Sequence, residues 1–517
     1  MKELYISSRS AAVLLDPEGL YEASEPRSLT LNGAAAGVEK RSVTSLFGLK
    51  PDTEYVLESR TAGGKRETLS FRTRRETCEL NVREFGAKGD GETDDTAMIQ
   101  AAICCCPEGG TVVVPEGNYR TGPLFLKSHM TLEIRGGATL SLKTERECFP
   151  VLPEQVPADN PDGELLMGLW EGARSPGFAA ALNGFDLEDT AVIGEGTVDG
   201  CADRGDWWER PKEMRIARRG NLLYLQRCSG FTVQGITFRN SPSWNLHPAF
   251  SDHLDFFNLR IQAPYVSPNT DGFDPESCRA VRLIGTEISV GDDCIAIKSG
   301  KIDLGRKYRR PCEDIEIAWC AMLDGHGGVT LGSEMAGGVK NVRVHHCYMR
   351  GNDRGLRVKT RRGRGKDGVI DQILFEKVLM DGVKMPLIVN SMYFCDADGK
   401  SDWVQSREKQ PVDETTPTVG TVRFERVTAK GCKACAAYVL GLPEKPMEHL
   451  ILRDCSFDFD PNAEAQVPAM ALHVEECCRR GLILKFVRKV TLDRVRYSGI
   501  EGEWTDAEDV GEIENNL

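Results

Sequence analysis

Three acidic residues fall within two short turn-like segments: Asp271 in Asn269-Thr270-Asp271-Gly272, then Asp292 and Asp293 in Gly291-Asp292-Asp293-Cys294. Asp271 and Asp292 are 21 residues apart. If that interval is one turn of a stacked β-coil, the carboxylates sit on neighbouring strands about 4.8 Å apart and can bracket one bond. A strict strand would send Asp292 and Asp293 to opposite faces, and a charged aspartate inside an apolar coil is costly. Either the chain bends at Gly291, or one aspartate is unusually placed. Taken singly, each Asp or Asn could do no more than satisfy turn amides. The segments downstream argue for more. Gly325-His326-Gly327-Gly328 sets a histidine between glycines, open to a close-approaching ligand, and Arg357-Val358-Lys359 puts two cations on one strand face. Cations beside carboxylates suit an anionic sugar, with arginine able to engage its carboxylate bidentately. The bland alternative is an internal ion-pair cluster that only staples the coils.

These residues need a scaffold that repeats, and from about Asn81 the chain supplies one. Short alternating apolar triplets return after polar or glycine turns: Phe231-Thr232-Val233, Leu254-Asp255-Phe256, Val281-Arg282-Leu283, Ile315-Glu316-Ile317, Val342-Arg343-Val344, Ile373-Leu374-Phe375, Val422-Arg423-Phe424, Leu450-Ile451-Leu452 and Val490-Thr491-Leu492. The closest are 23 and 27 residues apart. That period, without helical periodicity, predicts a parallel β-helix whose coils cover one another. Asp95 to Cys106 reads as a short helix capping the first coil. Two breaks in the rhythm, about Lys143 to Phe185 and Ser391 to Val419, predict long loops on the solenoid's side, where binding sites are usually built. Residues 1–76 read as a small β-sandwich, in which Leu49-Lys50-Pro51-Asp52-Thr53-Glu54-Tyr55 resembles the tyrosine-corner segment of fibronectin type III domains. Arg72 to Glu76 reads as a linker, and 77–517 as the solenoid.

The four segments Asn269-Thr270-Asp271, Gly291-Asp292-Asp293, Gly325-His326-Gly327 and Arg357-Val358-Lys359, in that order, resemble the signature motifs of the polygalacturonase family, glycoside hydrolase family 28. Asn81 to Ala87, Gly91 to Thr96, and Gly194 to Gly200 with Trp207-Trp208 are similar to other parts of that family. The resemblance implies a single-stranded right-handed parallel β-helix of the pectin-lyase-like kind, hydrolysing α-1,4-galacturonosyl bonds with inversion and without a metal or other cofactor. Carried over by motif, it makes Asp292 the general acid, lets Asp271 and Asp293 position and activate water, and lets His326 support the acid. Arg357 and Lys359 would bind the substrate carboxylate, with Asn269 and Tyr393 as further substrate-binding candidates. An inverting enzyme is expected to keep acid and base about 6.5–9.5 Å apart to admit a water. The N-terminal unit, the insertions and the segments Lys298-Ser299-Gly300 and Gly332-Ser333-Glu334-Met335 look like bacterial exo-acting members, so release of galacturonic acid from a chain end is expected. Rhamnogalacturonan and xylogalacturonan hydrolases, a pectate-lyase type and a non-catalytic glycan-binding β-helix are the rival readings.

Composition bounds the partners. The chain has 517 residues, 40% hydrophobic and 28% charged, which excludes a disordered or fibrous protein. A net charge of −13 argues against nucleic acid or anionic membrane as partner, so an acidic oligosaccharide must be met by local cations. The run Arg361-Arg362-Gly363-Arg364-Gly365-Lys366 is either such a patch or a solvated basic loop. Met1 to Ala23 contains no apolar core of signal-peptide length, and the 18 cysteines include the adjacent run Cys104-Cys105-Cys106. The expectation is a cytoplasmic protein with reduced thiols, in which Cys432-x-x-Cys435 is buried and structural.

Overall fold

The computed structural model describes residues 1–516. All nine apolar triplets stack on one another in one parallel sheet. Phe231 pairs in register with Leu254, Leu254 with Val281, Val281 with Ile315 and Ile315 with Val342. The same ladder continues through Ile373, Val422, Leu450 and Val490. Each of these ladder residues is buried. Stacking like on like is what the period buys: every buried Val, Leu, Ile or Phe contributes about 1.5–3 kcal/mol of transfer free energy only because a neighbouring coil covers it. A second parallel sheet of 13 strands runs from Asp90–Asp94 to Arg496–Ser498. The third face carries Leu182–Phe185, Leu223–Gln226, Leu246–Ala249, Asp293–Ile297, Gly327–Leu331, Arg354–Lys359, Met385–Asn390 and Cys435–Leu440, with Phe273 and Glu276 bridging the gap between the Leu246 and Asp293 strands. The result is an all-β right-handed parallel β-helix, preceded by a small β-sandwich. Thiols of Cys278, Cys320, Cys347 and Cys455 sit inside it and donate to backbone carbonyls, and Cys432 and Cys435 are buried, so these cysteines act as small core residues.

The helix Thr96–Cys105 covers the first coil with Ile99, Ala102 and Ile103. Both breaks in the rhythm are side loops, carrying only short strand pairs in the first and the helix Asp402–Gln405 in the second. Among the described residues no helix is long and apolar enough to cross a membrane.

The N-terminal unit pairs Lys2–Ile6, Ala11–Leu14 and Val43–Leu46 in one antiparallel sheet, and Ala34–Arg41, Glu22–Leu31, Glu54–Thr61 and Arg66–Arg72 in the other. The Tyr55 hydroxyl accepts the backbone N–H of Lys50 at 2.9 Å, the contact expected of a tyrosine corner. Arg72 to Glu76 is no free tether. Arg9 grips Glu76 at 2.5 Å, Glu79 at 2.8 Å and Glu133 at 3.4 Å, while Ser10 donates to the buried Gln234 and Ala12, Leu14 and Val43 pack on Phe257, Ile284 and Trp319. Arg9→Ala leaves half-buried Glu76 without its cation, and Glu133 with Arg135 alone. It should lower stability by about 3 kcal/mol in denaturant unfolding, and an unchanged midpoint would show that the unit is not clamped.

Candidate active site

Two turns bring the acids together. In the first, Thr270 bonds Ser267 at 2.6 Å and accepts the backbone N–H of Gly291 at 3.2 Å, which lashes the Asp271 turn onto the Asp292 turn one coil on. No side chain fits at Gly291, where a Cβ would lie 2.2 Å from the Ser267 carbonyl oxygen. The chain therefore kinks there, the first of the two arrangements the sequence allowed. Alternation lapses: Asp292 turns to His326, and Asp293 joins the third sheet with its side chain facing Arg357 and Lys359. Gly327 has a matching reason, since a Cβ there would sit 2.7 Å from Asp293 Oδ1.

The carboxylates of Asp271, Asp292 and Asp293 each have an oxygen within 4.8 Å of the others. That corrects the expected separation of about 6.5–9.5 Å. The cause is the fixed coil spacing: residues one strand apart cannot stand farther off unless a loop holds them away. Electrostatics then divide the three. Burial alone would raise Asp293, but Lys359 at 2.6 Å and Arg357 at 3.4 Å outweigh it and hold the carboxyl well below its ordinary range. Asp271 goes the other way; burial and then the Asp292 and Asp274 charges push it well above the ordinary range. His326 is raised by its 3.2 Å hydrogen bond to Asp292, against a lowering by burial. The site thus holds one carboxylate stabilised as an anion, one carboxyl biased toward its protonated form and a histidine biased toward its cation.

Arg357, Lys359 and Tyr393 lie together, the two cations 5.7 and 5.6 Å from the Tyr393 ring centre. Asn269 sits at the cleft edge, its side-chain oxygen accepting from Arg219 at 2.8 Å. The run from Arg361 is neither of the things expected of it. Arg361, Arg362 and Arg364 are buried and paired with Asp398, Glu444 and Asp396, so they fasten the second insertion to the solenoid.

A second layer went unnoticed in the sequence. Asp274 is fully buried and neither of its oxygens has a hydrogen-bond partner, though Lys298 Nζ lies 3.4 Å away. Burial raises Asp274 well above its ordinary range, and Lys298 also meets Glu334 at 3.5 Å and lies 4.5 Å over the Trp244 ring. The spacing Asp271-x-x-Asp274, with Phe273 turned into the core, was the available signal. Trp170, from the first insertion, lies parallel to Trp244 at 6.5 Å, with Arg218 and Arg219 over its ring. That aromatic block stands beside Asn269 and walls off one end of the cleft. Asp271, Asp292 and Asp293 are also the residues near enough to share a cation, but Lys359 and Arg357 already supply positive charge there.

The class the fold and site define is a parallel β-helix with three clustered carboxylates on one sheet. The model of glycosyl hydrolases family 28 matches residues 104–478, and the chain belongs to that family. An endo-polygalacturonase of Pectobacterium carotovorum is 28% identical over 359 residues, covering 66% of this chain and 82% of its own. A family 28 exopolygalacturonase structure from Yersinia enterocolitica superimposes with a TM-score of 0.72 at 17% identity, over 99% of this chain and 97% of that one. An exopolygalacturonase structure from Thermotoga maritima gives 0.65 at 25% identity, over 81% and 91%.

The His326–Asp292 contact makes a signed prediction. A histidine raised in the fold adds stability below its unfolded value of about 6.5 and loses it as pH climbs through the raised value. Asp292→Asn should therefore drop the His326 midpoint in an NMR titration, and lower stability at pH 5 but not at pH 9. An unmoved midpoint would show that another group sets the histidine.

Proposed function

We propose that the protein hydrolyses α-1,4-galacturonosyl links of an acidic oligosaccharide, with inversion and from a chain end. The observation that carries this is the sorting of the three carboxylates. Asp292, the most exposed of them and beside His326, is placed to protonate the leaving oxygen. Asp293 stays ionised and, with Asp271, orients water on the opposite side of the bond.

Close carboxylates usually go with retention through a glycosyl ester. Here the candidate nucleophiles are weakened. Asp293 has Lys359 on one oxygen and Arg357 on the other, which draws down its nucleophilicity, and burial with like charges favours the proton on Asp271, which weakens it as a nucleophile. Each Asp293 oxygen keeps a lone-pair site that can hold a water and take its proton. Arg357 and Lys359 supply the positive potential that an anionic sugar needs, and Arg219 adds more at the Asn269 edge. The names of the family relatives point to the same substrate class, and the Trp170–Trp244 wall favours a pocket that takes a terminus over an open groove.

Trigalacturonic acid followed by NMR tests the whole reading. Galacturonic acid should be released from the first minutes with the β anomer ahead of mutarotation. An α product would overturn inversion, and mid-length products from a longer oligomer would overturn end-wise action. Asp271→Asn and Asp292→Asn should each reduce kcat by about 10²–10⁴-fold with the fold intact by circular dichroism. Near-normal turnover in either would return the cluster to a structural role. An ultraviolet-absorbing unsaturated product lost on adding chelator would instead favour a lyase.

A further inference from the structure

The third sheet is covered at both ends of the carboxylate cluster. On the side of earlier coils stands the Trp170–Trp244 block. On the side of later coils, the segment joining Ser456–Phe459 to Arg480–Asp493 folds back over the sheet. Its Ala469 and Ala471 pack into an apolar cluster with Ile388, Tyr438 and Ile483, the outward residues of three successive strands. Its tip reaches the site itself. Met470 Sδ lies 3.2 Å from Arg357 Nη2, the Met470 carbonyl accepts from Asn390 at 3.1 Å, and Pro468, Ala469 and Met470 leave only about 10 Å³ beside Arg357, Lys359 and Tyr393.

The distance between these walls can be read from the pairing. The Trp244 coil continues as Leu246, which is followed in register by Phe273, Ile295, Val329 and Leu356, the neighbour of Arg357. Those are four strand steps of about 4.8 Å, or about 19 Å from wall to wall. A glycan lying along the solenoid advances by a similar step per sugar. The walls occupy the two end strands, those of Leu246 and Leu356, which leaves the three strands of Phe273, Ile295 and Val329 between them, or room for about three sugars.

We propose that the cleft is limited to short chains of two or three sugars, with Met470 and its segment setting the limit on the leaving-group side. The proposal rests on the functional reading above for the identity of the sugar, and on the two walls for the length. A groove serving polymers would continue along Ile388, Tyr438 and Ile483, and that path is filled by side chains.

Calorimetric titration of the full-length Asp292→Asn protein with di-, tri- and hexagalacturonic acid reads the length without turnover. Affinity should rise from dimer to trimer and then change by less than about twofold, whereas a gain of about tenfold or more from trimer to hexamer overturns the limit. In the active protein, kcat/KM should favour the trimer over polygalacturonic acid by about tenfold or more, and equal values overturn it again. The double change Pro468→Gly with Met470→Gly should restore a gain at the hexamer; no gain would place the limit elsewhere than in this segment. If the plateau at three sugars holds but the native enzyme cleaves none of these compounds, the length limit stands and the hydrolase reading falls.

Discussion

Burying the Asp293 carboxylate is the constraint on which the site depends. An ionised group with 1% of its side chain exposed is tolerated only with matched positive charge, and here both cations come from the strand two steps along the sheet. The pair therefore ties three coils to one register. A slip of one residue in the Arg354–Lys359 strand would turn both cations inward and strand the anion. The same requirement bears on Gly327, where a Cβ would stand 2.7 Å from Asp293 Oδ1.

A second consequence is a division of labour imposed by distance. Coil spacing leaves the acids no way to stand far apart, so their roles are separated by charge environment. Lys359 and Arg357 stabilise one as an anion, while burial and like charges favour the proton on another. Behind them, Lys298 shares itself between Asp274, Glu334 and the face of Trp244.

Much of this was legible in the residues. The triplet period from Phe231 to Leu492 gave the ladder because side-chain alternation and coil length are both local properties. The four motif segments gave the acids, His326, Arg357 and Lys359 for the same reason. What stayed hidden depended on contacts between distant segments. Nothing near Arg361 announces that Asp396, Asp398 and Glu444 will neutralise the run, and nothing near Trp170 announces Trp244. The Arg72–Glu76 segment looked like a tether because its anchor, Arg9, lies more than sixty residues earlier. The spacing of the carboxylates was misjudged for a different reason: a general rule about acid and base was applied where the strand step had already set the distance.

The order in which the cleft is built follows from the order of the coils. Every acidic and basic residue of the cluster has been made by Lys359, and the Trp170 wall earlier still, yet the segment carrying Met470 comes more than a hundred residues later. A nascent or truncated chain ending between them would carry the complete reactive centre in a trough open at its far end. The finished protein is therefore narrower in what it admits than its own precursor on the ribosome, and the last coils serve selectivity as much as they serve the end of the stack.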